Sequence, residues 1–191
     1  MAVEPIVIKL AESSKNWTDY LTLTANLLGP IVTAIFGFWI LRISKKIEHS
    51  QWRNQKLIEK RIAVWDDVAP RINDIFCYCT RVGAWKNLSP HDVITWKREV
   101  DKKVHTYRPY FSQVFFTRFM ELMTTCFATY QGHGVDAKLK TPILEHKFAH
   151  DSWQPEWDDC FYESPSTVKE IRASYLAFQR QISAELNVEQ E

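Results

Sequence analysis

Arg98 and His105 are the two side chains of this chain whose types and spacing best suit catalysis. They bracket the run Arg98-Glu-Val-Asp-Lys-Lys-Val-His105. An imidazole can move a proton near neutral pH, and a guanidinium can hold developing negative charge. Two turns of helix separate them, so both can share one helical face. Lys97, Glu99, Asp101, Lys102 and Lys103 surround them, a composition equally suited to a plain solvated surface.

Other candidate chemistry is sparse. His146 and His150 are spaced for one face of a helix, with Asp151, Asp158, Asp159 and Cys160 downstream. Zinc uses such donors, but histidines four apart are common on polar helices, and no metal or other cofactor is expected. Cys77 and Cys79 would point about 200° apart on a helix, which rules against a shared ion. The four cysteines (Cys77, Cys79, Cys126, Cys160) form no C-x-x-C pair and read as reduced, buried thiols. There is no phosphate-binding glycine loop, no nucleophile elbow and no H-E-x-x-H. The loop Tyr130-Gln-Gly132-His133-Gly134-Val-Asp136-Ala-Lys138 is a candidate ligand or subunit-contact loop, and equally a helix C-cap and turn. Trp153, Trp157 and Phe161 read as a packing stripe rather than a ligand platform.

The elements that must position these residues begin with residues 20–43, YLTLTANLLGPIVTAIFGFWILRI, uncharged before Arg42. About 22 uncharged residues at about 1.5 Å each span about 33 Å, enough for a bilayer core of about 30 Å. Trp17, Tyr20 and Trp39 sit where amphipathic rings favour the headgroup layer. Arg42, Lys45, Lys46, Arg53 and Lys56 follow the span, and charges of mixed sign precede it. Positive charge resists translocation, so the expected topology has residues 1–19 as a short outer tail and the long C-terminal part in the cytoplasm. The start is not basic, and Arg42 to Lys46 stand where a signal peptide would be cleaved, so an anchor is expected rather than a leader.

The anchor carries a polar stripe. Thr22, Asn26, Gly29, Thr33 and Gly37 fall within about 80° of one another on a helical wheel. Gly29-x-x-x-Thr33-x-x-x-Gly37 lets helix backbones approach in lipid. Asn26 at membrane depth is costly without a polar neighbour or water. Self-association through this face is therefore expected. The same face would line a pore or make a dry contact.

Residues 44–56 form a polar neck, suited to a spacer, to contact with neighbours in an assembly, or to anionic headgroups. Residues 57–186 are enough for one compact domain, and the tail 187–191 is expected to fray. Ile58, Ile62, Trp65, Ala69, Ile72, Phe76 and Cys79 step by four and three, a heptad-like seam on one long helix, with a kink expected at Pro70 and an end at Gly83. Ser89-Pro90-His91-Asp92 is a helix start; Val93, Trp96, Val100 and Val104 continue it toward Pro109. A central apolar helix is expected from Ser112 to Tyr130, a short one from Thr141-Pro142 to His150, and a last one from Ser164-Pro165 with Val168, Ile171, Tyr175, Phe178, Ile182 and Leu186. No alternating strand is evident. The expected fold is all-α: one N-terminal transmembrane helix followed by a bundle of about four to five helices. The formal net charge of +1 offers no bulk field for nucleic acid, and DNA is not expected as a partner.

The Arg98/His105 spacing resembles the motif of HEPN ribonucleases, all-α domains that cut RNA as dimers. That resemblance implies that His105 would handle the proton and Arg98 would stabilise the phosphoryl transition state. Glu99 departs from the Asn, His or Asp that usually follows the family's Arg. The layout as a whole resembles small bacterial single-span membrane effectors of antiphage defence, most like the pore-forming accessory proteins of type VI, RNA-targeting CRISPR systems. Those combine one N-terminal membrane helix, a cytoplasmic all-α domain with a divergent HEPN-like motif, and a ring assembly. The stretch Trp85 to Lys138 resembles uncharacterised bacterial proteins of similar layout, and retron-associated membrane effectors are of similar size. The resemblance implies a non-enzymatic homo-oligomer in the bacterial inner membrane, with a defence-system protein or RNA as a further partner. Two other readings stand beside it: a membrane-tethered ribonuclease, and a non-catalytic anchor or scaffold.

Overall fold

The computed structural model describes residues 17–129 and 132–187. The expected outer tail up to residue 16, Tyr130 and Gln131 of the loop, and the tail from 188 lie outside the described residues. The chain is mostly helical and divides into two compact units, Met1–Arg53 and Asn54–Glu191. The first helix, α1 (Trp17–Thr80), runs through both.

Among the described residues of the first unit, no side chain of α1 is buried. Leu27, Phe36 and Trp39 are 72%, 65% and 65% exposed. Leaving so many large apolar groups in water is costly, and a bilayer removes that cost. This is the one helix among the described residues long and apolar enough to cross a membrane.

In the second unit α1 joins α2 (Pro90–Thr106), α3 (Gln113–Cys126), α4 (Ile143–Ala149) and α5 (Val168–Glu185). Ser89 and Asp92 form a reciprocal capping box at the start of α2, with Pro90 inside it. Thr167 and Glu170 do the same for α5, so α5 opens there rather than at Ser164-Pro165. The core is aromatic at its centre. Phe178 of α5 meets Trp65 of α1 at 5.9 Å, and Phe115 and Phe119 of α3 at 5.4 and 6.0 Å.

Three expectations are corrected. The buried seam of α1 is Val64, Val68, Ile72, Ile75 and Cys79, while Ile62 is exposed. A strict 3.5-residue repeat holds along a supercoil, whereas a straight helix repeats every 3.6 residues and drifts off it. The helix stops at Thr80, ahead of Gly83. Arg81 turns left-handed (φ 59°), with Arg81 N–H donating to Tyr78 O at 3.3 Å and Val82 N–H to Cys77 O at 2.9 Å, a paired C-cap. Third, α3 ends at Cys126 and does not reach Tyr130. Phe127–Ala128 (β1) pairs antiparallel with Lys138–Leu139 (β2), and a parallel bridge ties Leu139 to Phe161. This small ribbon buries Phe127 and Leu139 and sets both ends of the loop between them.

Candidate functional site

The polar stripe of α1 divides into groups that satisfy themselves and groups that do not. The Thr22 hydroxyl donates to Thr18 O at 3.1 Å, and the Thr33 hydroxyl reaches Gly29 O and Pro30 O, each at 3.0 Å. Such bonds hide a hydroxyl within its own helix. Asn26 has no such outlet: its carboxamide makes no hydrogen bond among the described residues. Pro30 has no N–H, so the Asn26 carbonyl also loses its usual donor four residues on. One residue inside the apolar segment thus carries a carboxamide with no hydrogen bond among the described residues and a carbonyl deprived of its usual donor. A Cβ added at Gly29 or Gly37 would meet nothing within 4 Å. The stripe combines open backbone with a polar group in want of a partner.

A second grouping lies in the helical domain. Arg98 of α2 pairs with Asp136, with side chains 55% and 60% exposed. Two residues picked out for different reasons in the sequence thus meet in space. His91, Ile94, Val135, Asp136, Lys138, Glu156, Asp159 and Cys160 line a cleft of about 300 Å³. Gly132 (φ 128°) and Gly134 (φ 75°) shape the loop that brings Asp136 there, in conformations that side chains resist. His133 is exposed. The Cys160 sulfur lies 3.8 and 3.9 Å from the two ring nitrogens of His91. Burial, with Asp159 and Asp136 nearby, pushes the Cys160 thiol up in pKa. A thiol held protonated is a poor nucleophile, so this pair is not an activated dyad.

His105 is not part of that cleft. Its ring stands edge-on to Phe116 of α3 at 5.0 Å. Arg98 and His105 therefore serve different neighbours.

His146 is the residue whose setting departs most from a polar helix surface. It is 1% exposed, stacked on Tyr78 at 4.5 Å, with Trp85 at 5.1 Å and Phe161 at 5.6 Å. Its Nε2 lies 3.2 Å from the Thr141 hydroxyl, which also neighbours Cys79 O at 3.3 Å and Arg81 Nη1 at 3.5 Å. A carbonyl only accepts and a guanidinium only donates, so the hydroxyl proton goes to Cys79 O and His146 Nε2 must carry hydrogen. Nδ1 of His146 is then a buried acceptor with no partner among the described residues, and the same holds for Nδ1 of His150. Burial, reinforced by Arg81 and His150, lowers the His146 pKa to about 4. His150 faces Trp157 at 5.0 Å and Trp153 at 6.3 Å. Trp153, Trp157 and Phe161 do pack together, Trp157 from a 3₁₀ turn (Pro155–Cys160) and the other two from the residues flanking it. The signal missed in the sequence was this density of Trp and Phe around a short helix. Among the described residues, no three His, Cys, Asp or Glu side chains are placed to hold a metal ion.

No family model matches this chain, nor does any curated protein or solved structure.

Proposed function

We propose that this chain is an oligomeric inner-membrane effector that permeabilises or depolarises the membrane during phage infection. The observation that carries the reading is Asn26. Its carboxamide makes no hydrogen bond among the described residues, and Pro30 deprives its carbonyl of the usual donor, on a helix face that Gly29 and Gly37 leave open. An isolated helix in lipid leaves that polar group unsatisfied; several helices sharing the face supply partners or enclose water. The excess of Lys and Arg after the span supports a topology with the N-terminus outside and the helical domain in the cytoplasm. The defence setting rests on the resemblance in layout.

The test is the size of the detergent-solubilised protein together with dye release from liposomes. A defined multimer that releases dye supports the proposal, and a monomer that releases none defeats it. The tethered-ribonuclease reading would ask Arg98 and His105 to act on one phosphate, whereas Asp136 engages the first and Phe116 the second.

A further inference from the structure

Phe148 is 88% exposed, more than any other large apolar side chain among the described residues. Leu144, one helical turn earlier on α4, is 63% exposed. The cause is local. Burying His146 on the inner side of this short helix turns Leu144 and Phe148 outward together. Leu144 also lines a groove of about 520 Å³, together with Pro142, Ile143, Phe161 and Pro165. Its rim carries Glu145, Asp158 and Glu163, and no Lys or Arg lines it. Arg81 holds Glu145 at 2.5 Å and Lys147 holds Asp158 at 2.7 Å; Glu163 has no ion-pair partner among the described residues. From Glu145 to Glu163 the chain has six carboxylates and a single Lys.

A contiguous apolar face rimmed by polar groups marks an interaction surface. Charge decides what covers it. A bilayer rich in anionic lipid would be repelled. The same face of a second copy would bring carboxylates against carboxylates. A segment with bulky apolar anchors flanked by Lys or Arg satisfies both parts, as in recognition of an amphipathic helix by a groove. We infer that α4 and the adjoining groove form a docking site for a cationic amphipathic segment of a partner protein. Apolar anchors would pack on Leu144 and Phe148, and a basic residue would face Glu163, the rim carboxylate not already held by Arg81 or Lys147. The inference is independent of whether the membrane helices form a pore.

Two measurements on the full-length protein test it. The first uses a fluorescent helical peptide of leucine and lysine, with its leucine–glutamate counterpart, against protein in phosphatidylcholine nanodiscs. The lysine peptide should bind beyond empty nanodiscs, weaken at least about tenfold with Leu144→Ser/Phe148→Ser or with Glu163→Lys, and weaken with salt. The glutamate peptide should not bind. Equal binding by these surface variants, whose folding circular dichroism would verify, overturns the inference. The second places photoreactive benzoylphenylalanine at position 148 in cells and sequences the captured peptide. A basic, apolar-anchored segment of another protein supports the site. Capture of lipid, of a second copy of this chain or of nothing overturns it.

Discussion

Arg61 of α1 and Glu185 at the end of α5 form a mostly buried ion pair, Nη1 to Oε2 at 2.9 Å, with side chains 18% and 4% exposed. Arg61 also donates to Tyr110 O at 2.7 Å and to Glu185 O at 2.8 Å. Glu185 accepts from Ser112 N–H at 3.1 Å and from Gln181 at 3.2 Å. The pair therefore ties the first and last helices of the domain to the α2–α3 connection. Arg61→Ala leaves a buried carboxylate without its cation, which should cost about 3 kcal/mol. Arg61→Met/Glu185→Leu removes both charges and should cost less than either single alanine variant. Urea denaturation of the four proteins checks this.

His146 makes stability depend on pH. In the unfolded chain it titrates near its ordinary value of 6.5, and in the fold near about 4. The fold thus favours the neutral ring. That stabilisation is full above about pH 6.5, and it is lost as pH falls toward 4, where the unfolded chain takes up a proton that the fold refuses. The whole window is worth about 3 kcal/mol. Urea midpoints measured between pH 7.5 and 4.5 should fall steeply in the native protein. In His146→Phe the part of the slope due to this ring should vanish.

Arg81 occupies the left-handed C-cap position that glycine usually takes. Its guanidinium compensates by pairing with Glu145 and reaching Thr141. Arg81→Ala keeps the backbone strain and loses both contacts, so it should destabilise by about 1–2 kcal/mol. Arg81→Gly loses the same contacts but relieves the backbone, and should sit closer to the native midpoint. If alanine and glycine melt together, the left-handed turn carries no strain.

The same position shows what the sequence could and could not disclose. Gly83 is a glycine just past an apolar run, and local preference points to it as the helix end. The actual end is two residues earlier, because Arg81 finds partners some 60 residues away. Long-range pairing of this kind leaves no local trace. The capping boxes are the opposite case. Ser89 and Asp92 are readable because both halves lie within one turn, and Thr167 with Glu170 offered the same pattern. Helices and the apolar span were legible for that reason. The two-residue ribbon at Phe127 and Leu139 was not, since so short a strand shows no alternation. In the candidate site, Arg98 and Asp136 were each recognisable by type, but only the turn of the glycine loop brings them together.

The membrane stripe separates two outcomes that the sequence holds together. Gly29→Leu and Gly37→Leu place bulk where the helix backbone is open, and should lower the multimer fraction in detergent. Asn26→Leu discriminates further. If Asn26 bonds to its equivalents in a dry contact, each interhelical bond contributes about 0.6–2 kcal/mol, and its loss should dissociate the assembly. If Asn26 faces water in a lumen, Asn26→Leu relieves an exposed carboxamide and leaves the multimer intact. It would then narrow and dry the passage, so dye release should fall without any change in size. Asn26→Gln retains the amide and should preserve both size and release in either case, or shift them only slightly. Size and leakage measured on the same preparations thus assign this face: loss of both marks a contact, and loss of leakage alone marks a lumen.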